Sequence, residues 1–189
     1  MGWDLALLEG LADHRTPWAT TMARGLMDAG QPASTYVAAV IAALAFAWMF
    51  GAWRAVAAAM LASVLATFVA EYGKEIIGRP RPPADLALVP TDGFAMPSSI
   101  AALTAGAATP LILWGLRSVR RTARVVAVLL VVGTVMVGAS MVYLGAHWLS
   151  DVLAGWLLGA ALGVAAFRLL GRGPAAEGRR LGAARNRTT

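Results

Sequence analysis

Apolar residues in this chain fall into long runs rather than alternating with polar ones. Five runs approach the ~20 residues that carry a helix across a bilayer. They extend from about Ala33 to Gly51, Trp53 to Tyr72, Ser99 to Leu116, Val125 to Leu144 and Leu149 to Leu170. Pro110 lies inside the third run and predicts a kink there. The segment before them has a different rhythm. Leu5, Leu8, Leu11 and, beyond Pro17, Met22, Leu26 and Met27 recur at helical spacing among charged residues. That spacing predicts two short amphipathic helices, lying at the membrane interface or packed on the bundle. The fold class is therefore all-α: an integral membrane bundle of about five transmembrane helices preceded by amphipathic interfacial helices. Three regions follow: an interfacial segment over 1–32, the bundle over 33–170 and a disordered tail over 171–189.

Composition supports lipid as the solvent. Hydrophobic residues make up 59% of the 189 and charged residues 14%, against about 25% charged in an average soluble domain. The net charge is +6, a balance that fits nucleic acid, an anionic membrane or a phosphorylated ligand. With a bilayer as solvent, nucleic acid is not expected as a partner. Asp4, Glu9, Asp13 and Arg15 make the N-terminus unlike a cleavable signal peptide. There are no cysteines, which excludes disulfides and thiolate chemistry.

Arginine placement gives an orientation. Arg54 lies in the first short turn; Arg117, Arg120, Arg121 and Arg124 lie between the third and fourth spans; Arg168, Arg172, Arg179, Arg180, Arg185 and Arg187 follow in the tail. An odd number of spans puts all three groups on one side, expected to be the cytoplasm of a multi-pass cell-membrane protein. The loop from Lys74 to Pro97 and the turn around His147 would then be extracytoplasmic. Trp3, Trp18 and Trp148 suit anchors at the outer interface.

The unusual polar residues gather on that outer side. Lys74, the only lysine, is followed by Arg79-Pro80-Arg81-Pro82. Three cations within eight residues form an anion-binding patch, with the prolines ending the helix and stiffening the backbone; an interfacial loop anchoring lipid headgroups is the plainer alternative. Met96-Pro97-Ser98-Ser99 opens the third span, with Ser98 placed as N-cap, where helix N–H groups attract anions. An ordinary cap would look the same. His147 and Asp151 stand four apart and share a helix face. A carboxylate there holds one ring nitrogen protonated and leaves the other as nucleophile or base.

These three stretches together resemble the type 2 phosphatidic-acid phosphatase superfamily. Its first motif, Lys, six residues, Arg-Pro, reads here Lys74 and Arg81-Pro82. Its second, Pro-Ser-Gly-His, reads Pro97-Ser98-Ser99-Ile100. Its third, Ser-Arg, five residues, His, three residues, Asp, reads Ser140-Met141, His147 and Asp151. The resemblance implies that His147 attacks phosphorus and forms a phosphohistidine, and that Asp151 orients and charge-balances the ring. It implies that Lys74, Arg81, Ser98 and Ser99 bind the phosphoryl group, without metal or cofactor. The expected substrate is a membrane lipid phosphate or pyrophosphate, polyprenyl lipids included. Two departures stand out. Ile100 replaces the His that protonates the leaving oxygen, and Met141 replaces a phosphoryl-binding Arg. Arg79 and His14 are the residues at hand to substitute. Three readings stay open: a lipid phosphatase; a catalytically silent relative that binds a lipid phosphate or supports a partner membrane enzyme; and a structural membrane protein. The small residues from Ala101 to Ala108 suit either a homo-oligomer interface or internal packing.

Overall fold

The computed structural model describes residues 2–30 and 33–170. The tail expected over 171–189 lies outside the described residues. Seven helices follow one another: α1 (Gly2–Asp13), α2 (Pro17–Ala29), α3 (Ala33–Phe50), α4 (Trp53–Ile77), α5 (Ser99–Arg117), α6 (Arg121–Tyr143) and α7 (Leu149–Leu170). The last five are long and apolar enough to cross a membrane.

α4, α5 and α7 pack on one another as the centre of the bundle, with α6 against α5; α3 lies at the periphery against α4, and its Phe46 and Phe50 rings meet Trp114 of α5. Between lipid-soluble helices there is no hydrophobic gain to drive association, so close approach of backbones does the work. The sequence provides for it. Ala58, Ala62, Ala66 and Ala70 form a buried stripe at four-residue spacing along α4. On α7, Gly155, Gly159 and Gly163 repeat the same spacing. A methyl group at Gly159 would collide with the Ala102 carbonyl, and one at Gly155 with the Ser98 carbonyl. The small stretch on α5 is thus used inside the bundle, with Ala101 and Ala102 fully buried.

One local detail differs from the sequence reading. α4 continues past Tyr72 to Ile77, and its end is set by Gly78, left-handed at φ 61°, whose N–H returns to the Lys74 carbonyl at 2.8 Å. The prolines follow that cap rather than making it. α5 continues as helix through Pro110.

The N-terminal helices pack on the end of the bundle. α2 lies along α6, and α1 buries Leu8 against Ala95 and Trp148. Arg15 ties the pair down: its guanidinium donates to the carbonyls of Tyr143 and Leu86, both at 2.8 Å. The loop 78–98 is pinned over the α6–α7 turn by Leu88 N–H to Leu144 O (2.8 Å) and Ser98 N–H to Asp151 O (3.0 Å).

Candidate active site

Among the described residues, the buried polar side chains Asp4, Lys74, Ser98, Ser140, His147 and Asp151 lie toward this capped end. The α6–α7 turn passes through Gly145, left-handed at φ 70° and packed on the backbone of Leu86 and Ala87, where a side chain has no room. That turn leads to His147, 5% exposed and two residues ahead of α7, in whose first turn Asp151 is fully buried.

Arg81 reaches His147 from the loop. Its Nη1 donates to the Ala146 carbonyl at 2.9 Å and stands 2.8 Å from His147 Nε2; Nη2 donates to the Asp92 carbonyl at 3.1 Å. A guanidinium has donors only. Nε2 must therefore carry the lone pair, and a neutral ring carries its proton on Nδ1. That nitrogen faces Asp151 Oδ2 at 3.5 Å. The separation exceeds a hydrogen bond, and Nδ1 is left without a partner in the described structure. Asp151 thus acts on the ring as a nearby charge. Its Oδ2 is instead taken by the Trp148 N–H at 2.9 Å. Burial pushes the His147 imidazole below its ordinary pKa; the Asp151 carboxylate opposes this, and the cations Arg81 and Lys74 add to it. The ring is neutral at pH 7, with Nε2 available once Arg81 is drawn to another anion.

Lys74 is buried and lies within the electrostatic reach of His147. Its Nζ donates to Ser99 Oγ at 3.0 Å and to Glu71 Oε1 at 2.9 Å. Glu71 was not singled out from the sequence, although it sits three residues before Lys74 on the same helix face.

The remaining expected residues are placed otherwise. Ser98 is the N-cap of α5, accepting from the Ala101 N–H, but its hydroxyl points inward to Met141 Sδ at 3.7 Å and is fully buried. Arg79 does not substitute for the missing Arg: its guanidinium is held between Asp151 and Asp4, at 2.8 Å from Asp4 Oδ2, and lies over the Trp148 ring. Nor does His14: its Nδ1 lies 2.8 Å from the Gly10 carbonyl, ten residues and roughly 15 Å of helix rise beyond Asp4. The space around Met141 is apolar, filled by Ala101, Val142 and Val152 with Leu11 and Trp156 packed on them. Ile100 is part-exposed at the start of α5.

Asp4 is the second residue that the sequence did not reveal. It is 3% exposed, accepts from Ser150 N–H at 3.2 Å and bonds the Ser150 hydroxyl. Burial opposes its ionisation, yet the hydrogen bonds from Ser150 and Arg79 outweigh that and hold its pKa below the ordinary value.

With this geometry in view, the comparisons are decisive on family. The PAP2 superfamily pattern matches residues 51–173, well over half of the chain. The chain belongs to the PAP2 superfamily. Among solved structures it is similar to the transmembrane PAP2 type phosphatidylglycerolphosphate phosphatase from Bacillus subtilis, with 25% identity and a TM-score of 0.75 over 89% of this chain and 84% of that one. It also shares its fold with Aquifex aeolicus LpxE, at 22% identity and a TM-score of 0.63 over 87% of this chain and 94% of that one. No curated protein sequence matches it. As a PAP2 member with five candidate spans, it is a multi-pass membrane protein.

Proposed function

We propose that this PAP2 protein hydrolyses a membrane lipid phosphate or pyrophosphate, polyprenyl lipids included, through a phosphohistidine on His147. The observation that carries this reading is the guanidinium at 2.8 Å from His147 Nε2. A donor-only group there selects the nucleophilic tautomer, and it occupies the place an anionic phosphoryl group would take. On arrival the phosphoryl oxygens exchange into the Arg81 and Lys74 donors, Nε2 attacks phosphorus, and the Asp151 carboxylate balances the charge growing on the ring. Water then releases phosphate. Fixed cations supply the stabilisation of developing charge.

Lipid as substrate is supported by an apolar groove of about 530 Å³ lined by Leu11, Trp18, Met22, Val135 and Trp156, with Ser140 and Leu149 from either side of the α6–α7 turn. The arginines of the α5–α6 loop and of the tail argue that the site faces the extracytoplasmic side.

A second reading has its own support. Met141 and its apolar neighbours fill the place of a phosphoryl-binding Arg, and Ile100 stands where the family carries its acid. A silent relative that holds a lipid phosphate, or assists a partner membrane enzyme, would tolerate both changes. Release of inorganic phosphate in detergent micelles separates the readings. Wild type is expected to turn over lipid phosphates or pyrophosphates and His147→Ala to lose that turnover; equal, negligible release from both proteins would leave the silent reading.

A further inference from the structure

We infer that Glu71 is the general acid and base of this site, taking over from the histidine that Ile100 displaced. The inference rests on the phosphatase reading. Glu71 Oε1 lies 2.9 Å from Lys74 Nζ, and the same Nζ donates to Ser99 Oγ at 3.0 Å. Ser99 adjoins Ile100, so the carboxyl group sits beside the helix end where the family places its acid. Its side chain is 55% exposed, unlike the buried Asp151 and Asp4, so it can meet a ligand. It is also close enough to Arg81 for the two charges to interact. Among the described residues, His147, Arg81, Lys74 and Asp151 already have roles in holding or attacking phosphorus, and Arg79 and Asp4 neutralise one another in the wall. Glu71 is the carboxyl group bonded directly to the phosphate-binding Lys74, which places it to give and take a proton.

The chemistry balances. A phosphate monoester reaching the site as its monoanion brings one proton, since its second ionisation lies near pH 6. As Lys74 turns to the phosphoryl oxygens, Glu71 takes that proton. His147 Nε2 attacks phosphorus; the bond to the leaving oxygen breaks with its electron pair on oxygen, which receives the Glu71 proton and departs as an alcohol. The Glu71 carboxylate then accepts a proton from a water whose oxygen attacks the phosphohistidine. The P–N bond breaks, its pair returns to Nε2, and the Glu71 proton passes to the departing phosphate, which leaves as its monoanion and restores the Glu71 carboxylate. A carboxyl placed this way extends the site from pyrophosphates, which leave without a proton, to alkyl phosphate monoesters, which need one.

Leaving-group dependence tests the assignment with the full-length protein in micelles. The two substrates are phosphatidic acid, whose alkoxide needs a proton, and p-nitrophenyl phosphate, whose phenolate does not. Glu71→Gln keeps the shape and loses the proton. It is expected to slow phosphatidic acid hydrolysis by about 10²–10⁴-fold and p-nitrophenyl phosphate hydrolysis by less than about 10-fold. Unimpaired phosphatidic acid hydrolysis overturns the assignment. If both substrates suffer alike, Glu71→His decides: recovery on phosphatidic acid supports it, and no recovery overturns it. Those overturning results leave the phosphatase reading standing so long as His147→Ala is dead on both substrates. A wild type inert on both but active on a lipid pyrophosphate overturns the assignment and leaves the phosphatase reading standing; one inert on all three overturns the two readings together.

Discussion

Replacing Asp151 by Asn separates the charge of this carboxylate from its shape. Asp151 is fully buried, and its oxygens meet Arg79, the Trp148 N–H and the Nδ1 side of His147. Asn has one acceptor and one donor end. Keeping the acceptor on Trp148 N–H turns the amide NH₂ toward Arg79; flipping it turns NH₂ toward Trp148. Either way donors meet. The stability cost is bounded from below by a lost hydrogen bond to a charged group, about 1.5 kcal/mol, and from above by a stranded buried charge, about 5 kcal/mol. Arg79 keeps Asp4 at 2.8 Å, so the loss should sit near the lower bound, about 2 kcal/mol. The catalytic cost is larger. A carboxylate 3.5 Å from Nδ1 attracts the positive charge that develops on the ring by about 4 kcal/mol at an effective dielectric near 20. That corresponds to roughly 10³-fold in rate. Phosphate release should therefore fall about 10³-fold at a temperature where a melting curve shows the variant still folded. A variant that keeps more than a tenth of the wild-type rate would refute the role of the charge. So would a rate that simply tracks the folded fraction.

Further outcomes follow from the same network. Because burial depresses the His147 pKa, the rising limb of kcat/KM against pH, which reports the free protein, should be centred below 6.5, and a limb above that value would contradict a neutral resting ring. The folded state also binds this proton less tightly than the unfolded chain does. Its contribution to stability is thus complete above about pH 6.5 and erodes as pH falls from there toward the depressed value. For Asp4 the sign runs the usual carboxylate way: stability is present above about pH 4 and lost as acid protonates the folded carboxyl. Asp4→Ala should cost about 2 kcal/mol at neutral pH, since Arg79 retains Asp151, and should expose α1 to protease; unchanged melting and unchanged cleavage would show that the contact does not hold α1 in place.

What could be read from the sequence is what depends on local runs. α7 begins at Leu149, where its apolar run does, directly after the turn through Gly145. α4 outlasts its run because hydropathy falls at Glu71 while backbone hydrogen bonding continues until Gly78 closes the helix. The fates of Arg79 and Arg81 were beyond local reading. They are two residues apart, and their partners come from positions 4, 146, 147 and 151, which only the docked loop and α1 bring together. Asp4 looked like one charge among several on an amphipathic segment. Its partners are 75 and 146 residues away, a distance no periodicity can span.

The charge balance at this end of the bundle argues for a proton on Glu71 during turnover. Arg79, Arg81 and Lys74 are set against Asp4, Asp151 and Glu71, so the described cluster is neutral as a set. A PAP2 site with Arg in place of Met141 would carry one more positive charge to meet a phosphoryl dianion. Here that charge is absent, and the apolar packing of Met141 leaves no room to restore it from the wall. Neutralising Glu71 has the same effect on the sum, and it does so only when an anion and its proton arrive together. The loss of one fixed cation and the loss of the family's acid would then be answered by one carboxyl group: in the resting state it pairs with Lys74, and with substrate bound it stores the proton that the leaving oxygen requires.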